Sequence, residues 1–292
     1  MSGLRIEDGC HTIWRFVVFN VLIFNFLTSF AVSIPQAPVV TYGIVRDEYG
    51  SPLEASAGAE LSLVKDSAPD GTVYAKTVVG ETAYPGVNYR LSLEIDSEGP
   101  ERPYAVVRGT QMRIKCQMNG EAQNLTPTPT FATPVNGTAQ RLDFSIGEDA
   151  DGDGLPDVWE AWVLEMDGRA NDAAAIAGFK PGDDADGDGM TNGQEYFAGT
   201  DPFLATDLLA ITSFTKLPET DRAEIKFTTV PGRTYRIVKA DTLDSAVWAP
   251  VATTRQIDGD PTYATYSGTG RSITVYVAVD AAQSAFFRVA AD

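Results

Sequence analysis

Two short stretches of the chain gather oxygen ligands at a regular spacing. Residues 149–160 read DADGDGLPDVWE and residues 184–195 read DADGDGMTNGQE. Asp149, Asp151 and Asp153 alternate along the first, and Asp184, Asp186 and Asp188 repeat the arrangement 35 residues later. Three carboxylates packed this closely repel one another in the folded and the unfolded chain alike, and a bound cation resolves the repulsion. The donors are hard oxygens, with no imidazole or thiolate among them, which selects calcium over the transition metals. Magnesium suits the pattern less well, because it keeps its waters and takes fewer carboxylates.

Counted from the first Asp, each stretch supplies every ligand position of an EF-hand loop. Gly154 and Gly189 stand sixth, where the chain must turn sharply. Leu155 and Met190 stand seventh and offer a backbone carbonyl. Asp157 and Asn192 stand ninth, a position that acts through water, and Glu160 and Glu195 stand twelfth as bidentate ligands. The expectation is two calcium ions, one per loop. Two complete copies are hard to reconcile with solvated acidic turns.

The elements that must position these loops are only half those of an EF-hand. A strand-like RLDFSI enters the first loop where a helix would be expected, and Gly178, Pro181 and Gly182 break any helix approaching the second. The exits are helical. Val158, Trp162 and Met166, with Trp159 and Val163 beside them, form an apolar stripe that ends at Gly168. Trp159 and Trp162 read as the core of a small domain. NGQEYFAG gives about two turns of helix, with Tyr196 and Phe197 as anchors, before Gly199. Loop-plus-one-helix units of this kind resemble thrombospondin type 3 and dockerin-like calcium repeats. DADGDGMTNGQEYFAGTDP (184–202) is similar to the bacterial type 3 repeats down to its final GTDP. The resemblance covers residues 148–206. It departs from eukaryotic type 3 repeats in spacing, in the twelfth-position Glu and in the lack of disulfides. It departs from dockerins in the inserted GRANDAAAIAGFKPGD and in the mismatch of Val158-Trp159 with Gly193-Gln194.

Composition narrows the function classes. The chain has 292 residues and a formal charge of −18. Residues 148–207 hold sixteen Asp and Glu against Arg169 and Lys180 alone, so the acidity coincides with the repeats. Such a surface repels phosphate backbones and argues against nucleic acid as a partner. Residues 1–33 read as a secretory signal peptide: the apolar run from Phe16 to Leu27 is short for a membrane span, and Ala31 and Ser33 are the small residues a signal peptidase requires. An uncleaved membrane anchor is the alternative. Cleavage would remove His11, the only histidine, and leave Cys116 as the only cysteine. A Ser-His-Asp triad, a Cys-His pair and a histidine-ligated zinc site are then unavailable, and no enzyme activity is expected.

The remaining chain alternates with the period of strands. Val87, Tyr89, Leu91, Leu93 and Ile95 share one face, as do Met112, Ile114, Cys116 and Met118, and then Leu142, Phe144 and Ile146 along a strand over 140–147. Cys116 reads as a buried core thiol. VVTYGIVRDEYGSPLEAS (39–56) resembles the opening hairpin of carboxypeptidase regulatory-like, prealbumin-type sandwiches, which implies a structural module. In the C-terminal part, RAEIKFTTVPGRTYRIVKADTL (222–243) gives two alternating strands joined through Pro231-Gly232, and Trp248 reads as a core anchor. The TYRIVKADTL…W…FFRV pattern resembles the sandwich that follows calcium repeats in secreted proteins of environmental bacteria. The fold expected is mainly β: two antiparallel β-sandwich domains of Ig or prealbumin type, 34–147 and 207–292, linked by a small helical calcium-binding segment, 148–206. The function expected is that of a secreted or cell-surface structural or interaction protein. The alternative is an extracellular binding module for a protein partner, dockerin-like, or for a polysaccharide.

Overall fold

Alternation along Tyr89–Asp96 puts Tyr89, Leu91, Leu93 and Ile95 on one buried face, and the strand Gln111–Met118 does the same with Met112, Ile114 and Cys116. These faces meet across a sandwich. The computed structural model describes residues 37–80, 86–96, 104–218, 220–245, 247–280 and 285–291; the signal segment 1–33 lies outside the described residues. One N-terminal sheet runs in the order Ala139–Arg141, Val39–Gly43, Tyr89–Asp96, Ala105–Val107. The facing sheet runs Thr130–Ala132, Gln111–Met118, Ala59–Lys65, Ala75–Val78. Leu61, Leu63, Met112 and Ile114 from the second sheet share one apolar core with Val39, Tyr89 and Leu91 from the first. Most pairings are antiparallel, while Ala139–Arg141 and Ala105–Val107 add parallel edges.

The strand expected over 140–147 is two strands. Ala139–Arg141 pairs with Val39–Gly43, whereas Phe144–Ile146 joins a separate small sheet with Val45–Arg46 and Leu125–Thr126. The chain breaks at Asp143, whose side chain accepts from the Ile44 amide at 2.8 Å. A carboxylate that takes over a ladder donor ends the regular pairing there.

In the C-terminal sandwich, Ala223, Ile225, Phe227, Ile273, Val275 and Val277 line one sheet and Tyr235 and Ile237 the other. Arg222–Thr228 and Thr234–Ala240 lie in different sheets, so Pro231-Gly232 turns the chain across the sandwich instead of closing a hairpin. Trp248 is half-buried and lies outside this core, with the Arg288 guanidinium 3.9 Å above its ring. A cation over an indole face is stable at the surface and does not need burial.

Between the sandwiches, three short helices, α1 (Asp157–Met166), α2 (Ala173–Ile176) and α3 (Asn192–Ala198), surround a third core of Leu155, Trp159, Val163, Leu164, Phe179 and Tyr196. The buried face of α1 is not the stripe Val158, Trp162, Met166, which is 38, 49 and 71 % exposed. Glu160 is fully buried and faces the first loop, and at 100° per residue that rotation carries Trp159 and Val163 inward and Trp162 out. Pro38–Asp292, which contains both sandwiches and the helical segment, is one compact unit. Among the described residues, no helix is long and apolar enough to cross a membrane.

Candidate metal centre

The two acidic loops fold the same way because their side chains cap their own backbones. Asp149 accepts from the Gly152 amide at 2.7 Å through Oδ1 and from the Gly154 amide at 3.0 Å through Oδ2. Asp184 accepts from Gly187 and Gly189 at the same two distances. Asp153 N donates to Asp151 Oδ1 at 3.3 Å, and Asp188 N to Asp186 Oδ1 at 3.1 Å. Leu155 N donates to Asp153 Oδ1 at 3.1 Å, and Met190 N to Asp188 Oδ1 at 2.7 Å. Each loop closes at its ninth position, where Asp157 N meets Glu148 O and Asn192 N meets Asp183 O, both at 2.8 Å. Gly154 and Gly189 take φ of 99° and 98°, a backbone that a residue with a Cβ rarely adopts.

This scaffold turns oxygens toward two common points. Carboxylate oxygens of Asp149, Asp151 and Asp153 lie within 4.8 Å of one another, and so do those of Asp184, Asp186 and Asp188. The twelfth positions arrive from the helices: Glu160 from the first turn of α1 and Glu195 from α3, both fully buried. Helix α3 is held in register by a capping box between Thr191 and Gln194 and ends on Gly199 at φ 79°. Leu155 drives its side chain into the small core, and Met190 Sδ accepts from the Leu209 amide at 3.1 Å. A residue that offers only its carbonyl leaves its side chain free for such packing. Asn192 Nδ2 donates to Lys180 O at 2.8 Å, and Asp157 Oδ1 accepts from Ala150 N at 2.9 Å.

The residues fit a hard cation by a test independent of their spacing. Both carboxylate oxygens of Glu160, Oε2 of Glu195, Oδ2 of Asp186 and Asp188, and Oδ1 of Asn192 are buried and receive no hydrogen bond from the protein. Buried acceptors without donors carry a desolvation cost that a bound cation removes. Burial first, and then the Asp153 and Asp151 charges, push the Glu160 carboxyl up to about 8. Burial likewise raises Glu195 to about 8, with Asp186 and Asp188 adding to the shift against an opposing hydrogen bond from Thr200. Oxygen donors alone, several of them anionic, suit calcium.

The first loop contains something its sequence pattern does not announce. Lys180 Nζ donates to Asp151 Oδ2 and lies 3.5 Å from Asp153 Oδ2. That hydrogen bond lowers the Asp151 carboxyl, whereas burial raises Asp153 despite its more distant contact with the same ammonium. The signal for Lys180 lay in composition, since it is one of two basic residues in the acidic stretch.

Helix α3 also hydrogen-bonds to both sandwiches, through contacts that the loop pattern gave no sign of. Tyr196, next to Glu195, donates through its hydroxyl to Ser145 Oγ at 2.7 Å in the N-terminal sandwich. Tyr235 of the C-terminal sandwich donates to Ala198 O at 3.1 Å. Arg233, only 6 % exposed, reaches past α3 to donate to Tyr49 O at 2.5 Å and Ser51 Oγ at 3.2 Å. A Cβ on Gly50 would lie 2.8 Å from Tyr196 O, and one on Gly199 would lie 2.7 Å from Arg233 Nε, so both close approaches require glycine.

Comparison with known proteins bears on the second loop. No curated protein and no solved structure matches the chain. Residues 184–205 match the family model of the bacterial TSP3 repeat, a calcium-binding repeat of extracellular proteins, so the second loop, α3 and the Gly-Thr-Asp-Pro run after it form a thrombospondin type 3-like repeat.

Proposed function

We propose that this is a secreted, non-catalytic structural or interaction protein in which two calcium ions, one per loop, fix the two β-sandwiches against each other. The ligands are Asp149, Asp151, Asp153, the Leu155 carbonyl, Asp157 and Glu160 in the first loop. In the second they are Asp184, Asp186, Asp188, the Met190 carbonyl, Asn192 and Glu195. Bound calcium supplies the positive charge that the second cluster lacks and that Lys180 supplies only in part to the first. One observation carries the reading: Glu195, Tyr196 and Ala198 are neighbours on one short helix. The first faces the second loop, the next hydrogen-bonds the N-terminal sandwich and the last accepts from the C-terminal one. Whatever orders Glu195 therefore orders both junctions.

The energy available follows from the affinity: at ~1 mM free calcium a dissociation constant near 10⁻³ M, in the range of extracellular modules, would add only about 0.4 kcal/mol per loop. At ~1 mM free calcium and a dissociation constant near 10⁻⁵ M, binding would add about 2.7 kcal/mol per loop. Small-angle scattering and limited proteolysis of the purified protein, with and without chelator, test the reading. Chelation is expected to expand the particle and open cleavage within 148–206 while the far-UV signature of the sandwiches persists. Absence of calcium-dependent heat at millimolar ion, or an unchanged cleavage pattern, would overturn it.

A second reading, a module that binds an extracellular polysaccharide, is favoured by the exposed aromatic corner of Tyr49 and Trp162, whose rings meet edge to face at 6.0 Å beside Arg233. Retention on insoluble polysaccharides that is lost in Trp162→Ala would support it.

A further inference from the structure

The two loops share the hydrogen bonds that turn them, and they differ in what faces their third- and fifth-position carboxylates. In the second, Asp186 Oδ2 and Asp188 Oδ2 receive no hydrogen bond from the protein. Their counterparts in the first, Asp151 Oδ2 and Asp153 Oδ2, face the Lys180 ammonium. Charge count alone ranks the first loop as the stronger site: it offers five carboxylates, Asp149, Asp151, Asp153, Asp157 and Glu160, where the second offers four and Asn192. From the geometry we infer the reverse order: Lys180 is a tethered counter-cation of the first loop, so calcium fills the second loop first and enters the first only by displacing the ammonium. The inference rests on the calcium reading of both loops.

Three features support displacement over permanent blockage. The Lys180 side chain is 43 % exposed, so the ammonium has a path to water. Its backbone is fixed independently of its side chain: Phe179 before it is buried in the small core, and its carbonyl accepts from Asn192 Nδ2 in the second loop. The four-carbon stem is flexible, so the head can leave while the backbone stays. A monovalent ammonium also satisfies only part of the first cluster, since both Glu160 oxygens remain without a donor. A divalent ion that engages Glu160 as well gains what the ammonium cannot. Lys180 thus steadies the first loop at low calcium and sets the concentration at which it loads. Its carbonyl contact with Asn192 makes that setting depend on the second loop, and coupling of this kind acts equally in both directions.

Calorimetric titration of the full-length purified protein with calcium chloride tests the inference, with Asp151→Asn and Asp186→Asn assigning the two binding phases. The wild type is expected to show two phases, the tighter one abolished by Asp186→Asn. Lys180→Met is expected to tighten the other phase by about tenfold or more and leave the first within about twofold. Lys180→Arg, which keeps the charge, should stay close to wild type. In chelator, Lys180→Met should also be cut faster within the first loop, a readout that does not depend on bound metal. Two calcium phases unchanged by Lys180→Met, or a tighter phase abolished by Asp151→Asn, would overturn the inference and leave the calcium reading standing. Absence of calcium heat in every variant would overturn both.

Discussion

Glu160 and Glu195 are buried carboxyls whose pKa in the calcium-free fold stands near 8 against an ordinary 4.5. The folded, calcium-free protein therefore holds more protons than the unfolded chain between those limits. Its stability contribution from these groups is present in full below about pH 4.5 and is lost as pH rises toward 8. Urea denaturation in chelator from pH 5 to 8 should show falling stability, and saturating calcium should remove or reverse the trend. The same shift predicts that calcium binding near pH 7 releases about one proton per loop, read as a binding heat that depends on the ionisation enthalpy of the buffer. Cys116 is the opposite kind of residue: burial pushes its thiol up to about 11 and it is 1 % exposed. Only about one molecule in 10⁴ carries the thiolate at pH 7. A thiol reagent should leave the native protein unlabelled and react promptly in denaturant.

Helix α3 shows how little of an element's job its own sequence reveals. Gly199→Ala would place a Cβ at φ 79° and 2.7 Å from Arg233 Nε, so it should cost more than the roughly 1 kcal/mol of an ordinary left-handed cap. Chemical denaturation would measure the loss, and calorimetry should show weaker calcium binding at the second loop alone. The cap and the two turns of this helix were legible in NGQEYFAG, because capping and loop turning are local events. The same holds for Tyr89–Asp96 and Gln111–Met118, where alternation names the buried face. Helix α1 was misread because apolar periodicity offers two adjacent faces, and it is Glu160, a polar residue, that decides between them. The break at Asp143 and the placement of Trp248 depend on partners about 100 and 40 residues away, Ile44 and Arg288, which no local window contains. Lys180 escaped notice for the same reason: its side chain meets a loop 27 residues upstream.

At the scale of the whole molecule, the two sandwiches touch directly, and the helical segment braces that contact more than it spans a gap. Arg233 is the direct tie, and its guanidinium is held between neutral acceptors at Tyr49 and Ser51. Arg46 instead ties the N-terminal sandwich to α3, lying 5.0 Å over the Phe197 ring. Arg233→Ala takes the charged donor from a part-buried carbonyl and hydroxyl and should cost about 1–3 kcal/mol. Scattering should then show a larger expansion on chelation than in the wild type, because calcium-ordered α3 becomes the main remaining brace.

The adjacency of Glu195 and Tyr196 also has a mechanical meaning. A tensile load applied between the two sandwiches enters α3 at the Tyr196 hydroxyl and leaves it at Ala198, one turn away from a loop closed by a carboxylate. Calcium held at Glu195, as proposed, would share that load with Arg233, and its part would be set by the surrounding fluid. Pulled by its ends in a force spectrometer, the protein should part its sandwiches at clearly lower force in chelator than in millimolar calcium, while the force needed to unravel either sandwich stays the same.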